Sequence, residues 1–145
     1  MAYNVSKFDV WTGEINDRVG GLASALGPLS TAGADLAFVV ARRQPHKPGT
    51  GVVFIGGVSG AKATKAAATA RLAKSNEMAA LRVEETNKPG SCHRMTRLLA
   101  LAGINLRGLS ATVVGKKCVY ILAFDGAADA DRAARVLRAA GKSGK

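Results

Sequence analysis

The chain has 145 residues, which is enough for one ordinary domain or two very small ones and excludes a large multidomain enzyme. Hydrophobic residues make up 48% and charged residues 21% of the chain, a balance that predicts a folded core rather than a disordered polymer. Lys and Arg number 21 against 10 Asp and Glu, and the resulting net charge of +11 favours an anionic partner.

The first half of the chain predicts two helices and three strands. Leu22, Leu26 and Leu29 recur at the spacing of one helix face, and Gly33 ends this pattern as a C-terminal cap would. Aromatic and β-branched residues mark the strands. The predicted elements are a strand at residues 8–15, a helix that ends at Gly33, strands at 36–41 and 52–55, and a helix at 61–74.

The second half predicts the same order of elements. Met95, Leu98 and Leu99 mark one face of its first helix. The next two strands form a hairpin around Gly115-Lys116. The predicted elements are a strand at residues 80–85, a turn at 87–90, a helix, strands at 104–114 and 118–124, and a helix at 127–140.

A shift of 70 positions aligns the two halves without gaps. The aligned pairs include Glu14 with Glu84, Gly20 with Gly90, Leu29 with Leu99, Leu36 with Leu106, Phe54 with Phe124 and Gly56 with Gly126. This repeat predicts two similar modules, residues 1–75 and 76–145. Strand, helix, strand, strand, helix is the order of a ferredoxin-like split βαβ module, so we expect an α+β fold with antiparallel sheets and both helices on one face.

The modules are expected to pair. Both faces of the predicted hairpins are apolar, which predicts a cover on the face away from the helices. A module of this size buries only about 60% of its unfolded surface, so pairing of two modules or of two chains is expected on physical grounds. A fourth strand after each second helix is not evident, and it is short, absent or supplied by the neighbouring module.

The two halves share a turn motif and a second motif after the first helix. In the first half these read Asp17-Arg18-Val19-Gly20-Gly21-Leu22 and Ala32-Gly33-Ala34-Asp35-Leu36. In the second half they read Asn87-Lys88-Pro89-Gly90 and Ala102-Gly103-Ile104-Asn105-Leu106. Both motifs resemble the ACT domain, a small regulatory module that binds amino acids, and the resemblance covers nearly the whole chain.

The resemblance implies an amino-acid ligand between two modules, held by the turn and by the polar residue that opens the second strand. The positions that correspond are Asn16, Asp17, Val19, Gly20, Gly21, Leu22 and Asp35 in the first module, and Asn87, Pro89, Gly90, Ser91 and Asn105 in the second. Free N–H groups in the first helical turn suit the carboxylate of such a ligand.

The first module departs from the family pattern. Val19 stands where proline is expected, and Asp35 would repel a nearby carboxylate. The second module keeps Pro89 and Asn105 but has Ser91 and Cys92 where Gly-Leu is usual. The second site is therefore the favoured one.

Catalysis, metal binding and membrane association are not expected. No nucleophile–base set, carboxylate pair or glycine-rich phosphate loop can be assembled, so we predict neither an enzyme nor a cofactor. Cys92 and Cys118 lack the spacing of a zinc site and are predicted to be reduced and structural. The first residues lack the apolar core of a signal peptide and no stretch resembles a membrane span, so a cytoplasmic protein is expected.

Three functions remain open. The resemblance favours a free-standing sensor of a free amino acid, homodimeric, that acts through a partner protein. A basic nucleic-acid-binding module of ferredoxin-like order is the alternative, but only 5% of the residues are aromatic, too few for an RNA-stacking sheet. An oligomerisation scaffold without ligand is the third. The basic loop with Arg42, Arg43 and Lys47 also suits an acidic protein partner.

Overall fold

The computed structural model describes residues 2–143, which form six strands and four helices. Four of the strand pairs have a described register and these four are antiparallel, so the fold is mixed α/β with antiparallel sheet, as expected. The elements are β1 (Asn4–Asn16), α1 (Gly21–Thr31), β2 (Phe38–Arg43), β3 (Thr50–Gly56), α2 (Gly60–Thr69), β4 (Ala73–Thr86), α3 (Ser91–Leu101), β5 (Gly108–Val114), β6 (Lys117–Phe124) and α4 (Ala127–Ser143). None of the helices in this part of the chain is long and apolar enough to cross a bilayer.

The chain divides into two compact units, whose limits differ from the predicted modules at the N terminus. The first unit is residues 9–75, and the second unit is residues 1–8 together with residues 76–145. The sequence placed residues 1–8 in the first module. They join the second unit because Val5 is buried in the core of that unit and its carbonyl oxygen accepts a hydrogen bond from Arg138 Nη2 at 3.1 Å.

Each unit contains a strand segment in addition to its three predicted strands. In the second unit, residues 4–8 of β1 lie beside β4, and Asn4 Nδ2 donates to Glu84 Oε2 at 3.4 Å. In the first unit, the first three residues of β4 continue the chain after α2. The strand that the sequence did not reveal after each second helix therefore comes from β1 in one unit and from the start of β4 in the other.

Two predicted elements were too long. Helix α2 ends at Thr69 rather than at residue 74, because Arg71 has a left-handed φ of 62° and the Leu72 N–H returns to Ala67 O at 2.8 Å. The segment then lies against β1, where a Cβ on Gly13 would come within 2.7 Å of Arg71 O. Strand β5 begins at Gly108 rather than at residue 104, because the N–H groups of Gly103 and Ile104 still donate to the last turn of α3, to Ala100 O and Leu99 O at 3.0 Å each.

The repeat holds a gap that the ungapped alignment missed. Glu14 pairs with Val52 in the first unit, and Glu84 pairs with Val119 in the second, so β3 corresponds to β6 with an offset of 67 positions rather than 70. The hairpin loop of the second unit is therefore three residues shorter. Phe54 with Phe124 and Gly56 with Gly126 are not structural equivalents.

Each unit has its own apolar core on the helix side of its strands. Alternate residues of β3 and β6 are buried, as expected if one face is packed against helices. Leu29, Val53 and Ile55 lie in the first core, and Leu99 and Leu122 lie in the second. The other face is less covered: Val114 in β5 is 62% exposed. The cover predicted for this face stays a prediction.

Candidate functional site

The turn between β1 and α1 holds six of the seven residues predicted for the first site. These are Asn16, Asp17, Val19, Gly20, Gly21 and Leu22. Gly20 has a φ of 81°, a left-handed conformation that favours glycine. A Cβ on Gly21 would overlap the Asn16 carbonyl oxygen, so this position needs glycine for close approach. Val19, where the family pattern has proline, is 99% exposed.

Charged groups around this turn pair within the first unit. Arg43 Nε donates to Asp17 Oδ2 at 2.5 Å, and Lys47 Nζ lies 3.0 Å from Glu14 Oε2. The hydrogen bond from Lys47 lowers the pKa of Glu14 below its usual value. Two of the cations in the basic loop thus have acidic partners in their own unit.

The N terminus of α1 presents free backbone donors. Gly21 N–H donates to Arg18 O and Ser24 N–H donates to Gly20 O, whereas the N–H groups of Leu22 and Ala23 have no acceptor within residues 2–143. The helix lacks a side-chain cap and an acidic residue in its first turn. This end of the helix can therefore accept an anionic group.

The turn between β4 and α3 holds four of the five residues predicted for the second site, namely Asn87, Pro89, Gly90 and Ser91. Gly90 has a φ of 83°. Ser91 is buried, and its Oγ accepts from Lys88 N–H at 3.0 Å and donates to Lys88 O at 2.8 Å. The buried hydroxyl of Ser91 therefore stabilises the turn through its two hydrogen bonds to the Lys88 backbone.

Arg94 is a residue of this turn that sequence reasoning missed. Its Nη1 donates to Pro89 O at 3.1 Å and its Nη2 donates to Ser91 Oγ at 3.2 Å. The guanidinium therefore adds positive charge at the N terminus of α3, where the N–H groups of Cys92 and His93 have no acceptor in the described part of the chain. The corresponding residue of the first unit is Ser24. This difference between the two repeats could have identified Arg94 from the sequence.

A buried polar pair, also missed, lies at the end of β4. Glu85 is 3% exposed, and the Tyr120 hydroxyl donates to its Oε2 at 2.6 Å. Burial raises the pKa of Tyr120, and Cys118 and Glu85 raise it further, so the hydroxyl stays protonated and can donate. Glu85 Oε1 is buried and has no hydrogen-bond partner among the described residues.

Cys92 lies in the same region and is not an activated thiol. Burial raises its pKa, and the neighbouring Cys118 and Glu85 raise it further. Both cysteines are free. No group of three or more His, Cys, Asp or Glu side chains that could hold a metal ion occurs within residues 2–143.

Asp35 and Asn105 are not brought to the turns of their own units. Each follows the C-terminal end of an 11-residue helix, and such a helix is about 16 Å long. Asp35 instead lines a cavity of about 460 Å³ with Gly57, Ser59 and Lys62, at the N terminus of α2. Asn105 is exposed. A site that combines a turn with either residue needs a second module, as the resemblance implies.

The fold has well-defined relatives among solved structures, although no protein-family model and no curated protein matches the chain. Protein BT0572 from Bacteroides thetaiotaomicron is similar with a TM-score of 0.69 and 14% identity, over 93% of this chain and 88% of that one. The ligand-free regulatory subunit of aspartate kinase from Thermus thermophilus is similar with a TM-score of 0.68 and 13% identity, over 94% of this chain and 95% of that one. Aspartate kinase from Synechocystis is similar with a TM-score of 0.62 and 17% identity, over 97% of this chain and 26% of that one. The chain therefore has an ACT-like fold.

Proposed function

We propose that the protein is a regulatory, non-catalytic protein that binds a free amino acid and acts through a partner protein. The observation that carries the proposal is the N terminus of α3, where two N–H groups without an acceptor among residues 2–143 lie at the same glycine-capped turn to which the Arg94 guanidinium binds. The similarity to a regulatory subunit of aspartate kinase supports the regulatory role.

The ligand carboxylate binds at the first turn of α3. The N–H groups of Cys92 and His93 donate to it, the helix dipole favours its charge, and Arg94 adds a cation. The equivalent turn of the first unit offers the N–H groups of Leu22 and Ala23 but no cation of its own helix. The second unit therefore provides the stronger anion site.

The two units act as ACT modules, and a second module completes each site with Asp35 or Asn105. This requirement fits a homodimer. Regulation follows only if the ligand has different affinities for two states of the protein, because equal affinities would shift no equilibrium.

The test is a thermal-shift screen of the full chain against the twenty amino acids. A ligand at 100 times its dissociation constant stabilises the folded state by about 2.7 kcal/mol, which raises the Tm by roughly 5 to 11 °C for a chain of this size. If none of the twenty raises the Tm, the protein is not an amino-acid sensor.

Nucleic-acid binding is the second candidate, and the net charge of +11 favours it. The pairing of Arg43 with Asp17 and of Lys47 with Glu14 reduces the charge that the basic loop offers to phosphates. If the protein binds nucleic acid specifically, its affinity for nucleic acid exceeds that of an unrelated protein of the same charge. An affinity equal to that of this control protein at every salt concentration excludes the function.

A further inference from the structure

The Glu85 side chain is an unusual member of the second core. It lies on the inward face of β4 with Leu81 and Val83, and only one of its two carboxyl oxygens has a donor in the described part of the chain, the Tyr120 hydroxyl. A buried carboxylate oxygen without a hydrogen bond reduces stability. A folded protein retains such a group where it serves another purpose or where a further donor reaches it.

The fold itself does not require this carboxylate. With the offsets given by the strand pairing, Glu85 corresponds to Ile15 in the first unit and Tyr120 corresponds to Val53. Ile15 and Val53 belong to the apolar core of the first unit. The same two positions thus hold an apolar pair in one unit and a polar pair in the other.

Glu85 also lies close to the proposed carboxylate site. It is two residues before Asn87, where the turn begins. It pairs across the sheet with Cys118, which belongs to the core against which Cys92 packs, and the N–H of Cys92 is one of the free donors. Burial raises the pKa of Tyr3, Glu85 raises it further, and Arg94 lowers it. An unpaired acceptor and a group of unpaired donors therefore occur at the same end of the second unit.

We infer that Glu85 Oε1 accepts a hydrogen bond from the protonated amine of the ligand, which makes Glu85 a specificity-determining residue of the second unit. The inference rests on the proposed function, because it needs the ligand carboxylate at the N terminus of α3. The ligand class is a primary amine that also carries a carboxylate. The first unit, with Ile15 at this position, has no such acceptor and does not select for an amine.

The experiment compares two probes on the full chain by isothermal titration calorimetry. For each of the twenty amino acids that binds, the second probe is the matching carboxylic acid with hydrogen in place of the α-amino group. The wild-type protein is expected to bind the amino acid at least tenfold more tightly than this acid. Glu85→Gln is expected to remove at least tenfold of that preference while binding of the acid stays unchanged.

Two further variants separate recognition from folding. The double variant E85L/Y120F replaces the polar pair with an apolar pair, as in the first unit, and keeps the aromatic ring, so it also loses the preference for the amine without leaving a buried polar group unpaired. Glu84→Gln is the matched control: Glu84 is the adjacent residue and pairs with Arg82 at 3.2 Å, and its loss leaves the preference unchanged.

Each outcome decides between the proposals. Loss of the preference in both Glu85 variants, with the control unaffected, supports the inference. An amino acid that binds the wild type and the Glu85 variants equally overturns the inference, assigns the unpaired oxygen to an internal water, and leaves the proposed function standing. If no amino acid binds the wild type, both proposals fail.

Discussion

Tyr120→Phe removes the one hydrogen bond that the Glu85 carboxyl group receives within residues 2–143. The 2.6 Å contact between the Tyr120 hydroxyl and Glu85 Oε2 is buried, and the other carboxylate oxygen has no partner among the described residues. Hydrogen bonds to charged groups contribute about 1.5–3 kcal/mol, and loss of this one leaves the whole carboxylate unsatisfied. We expect the free energy of unfolding to fall by about 2 kcal/mol, which lowers the Tm by roughly 4 to 8 °C.

The double variant E85L/Y120F tests the physical reason for that loss. Removal of both polar partners leaves no unsatisfied group, and the ring of residue 120 still fills its space in the core. We expect its unfolding free energy to lie within about 1 kcal/mol of the wild type, above that of Tyr120→Phe.

The Tm of both variants is measured by calorimetry, and their free energy of unfolding is measured by urea unfolding followed by circular dichroism. The reasoning fails if the unfolding free energy of Tyr120→Phe lies within about 0.5 kcal/mol of the wild type, because a buried acceptor left without its donor costs about 1–3 kcal/mol. It also fails if the double variant is less stable than the single one.

Three other predictions concern the turns and the titratable groups. Gly90→Ala should abolish amino-acid binding, whereas Gly103→Ala, which introduces the same left-handed strain away from the turn, should retain it in a thermal-shift assay; equal loss in both contradicts a site at the turn. Lys47→Met should return the pKa of Glu14 upward in an NMR titration, because the ion pair stabilises the fold above the ordinary carboxyl pKa and is lost as pH falls through the lowered pKa; an unchanged value refutes the pair. Cys92 should react with iodoacetamide at neutral pH more slowly than the unfolded chain, since its pKa is raised; equal rates would show an exposed, ordinary thiol.

The sequence predicted the turns and helix ends whose conformation depends on the local backbone. The glycine that follows α1 was predicted because Gly33 stands just beyond the leucine pattern, and it adopts a left-handed φ of 74°. The turn glycines, Gly20 and Gly90, were identified through the motif and also have positive φ. Positions that need φ above zero favour glycine whatever the rest of the fold does.

The features that were missed depend on contacts distant in sequence. The membership of residues 1–8 follows from Val5 and Arg138, which are 133 positions apart. The shorter hairpin loop of the second unit is visible only in strand pairing, because alanine and glycine matches persist in the wrong register. The sequence predicts Glu85 as the last residue of a strand, and its burial became evident only in the structure, where Glu85 pairs with Cys118 on β6 and its carboxyl group accepts from the Tyr120 hydroxyl.

The assignment of residues 4–8 to the second unit has a consequence for how the chain folds. These residues are synthesised before the whole first unit and their partner Arg138 in α4 after it, so the second core cannot be completed until the chain as far as α4 has been synthesised. Contacts that close so long a loop slow folding. A chain divided between residues 75 and 76 would separate Val5 from Leu81 and Leu137, so the boundary of the sequence repeat is not a boundary at which the protein can be cut into two self-sufficient halves.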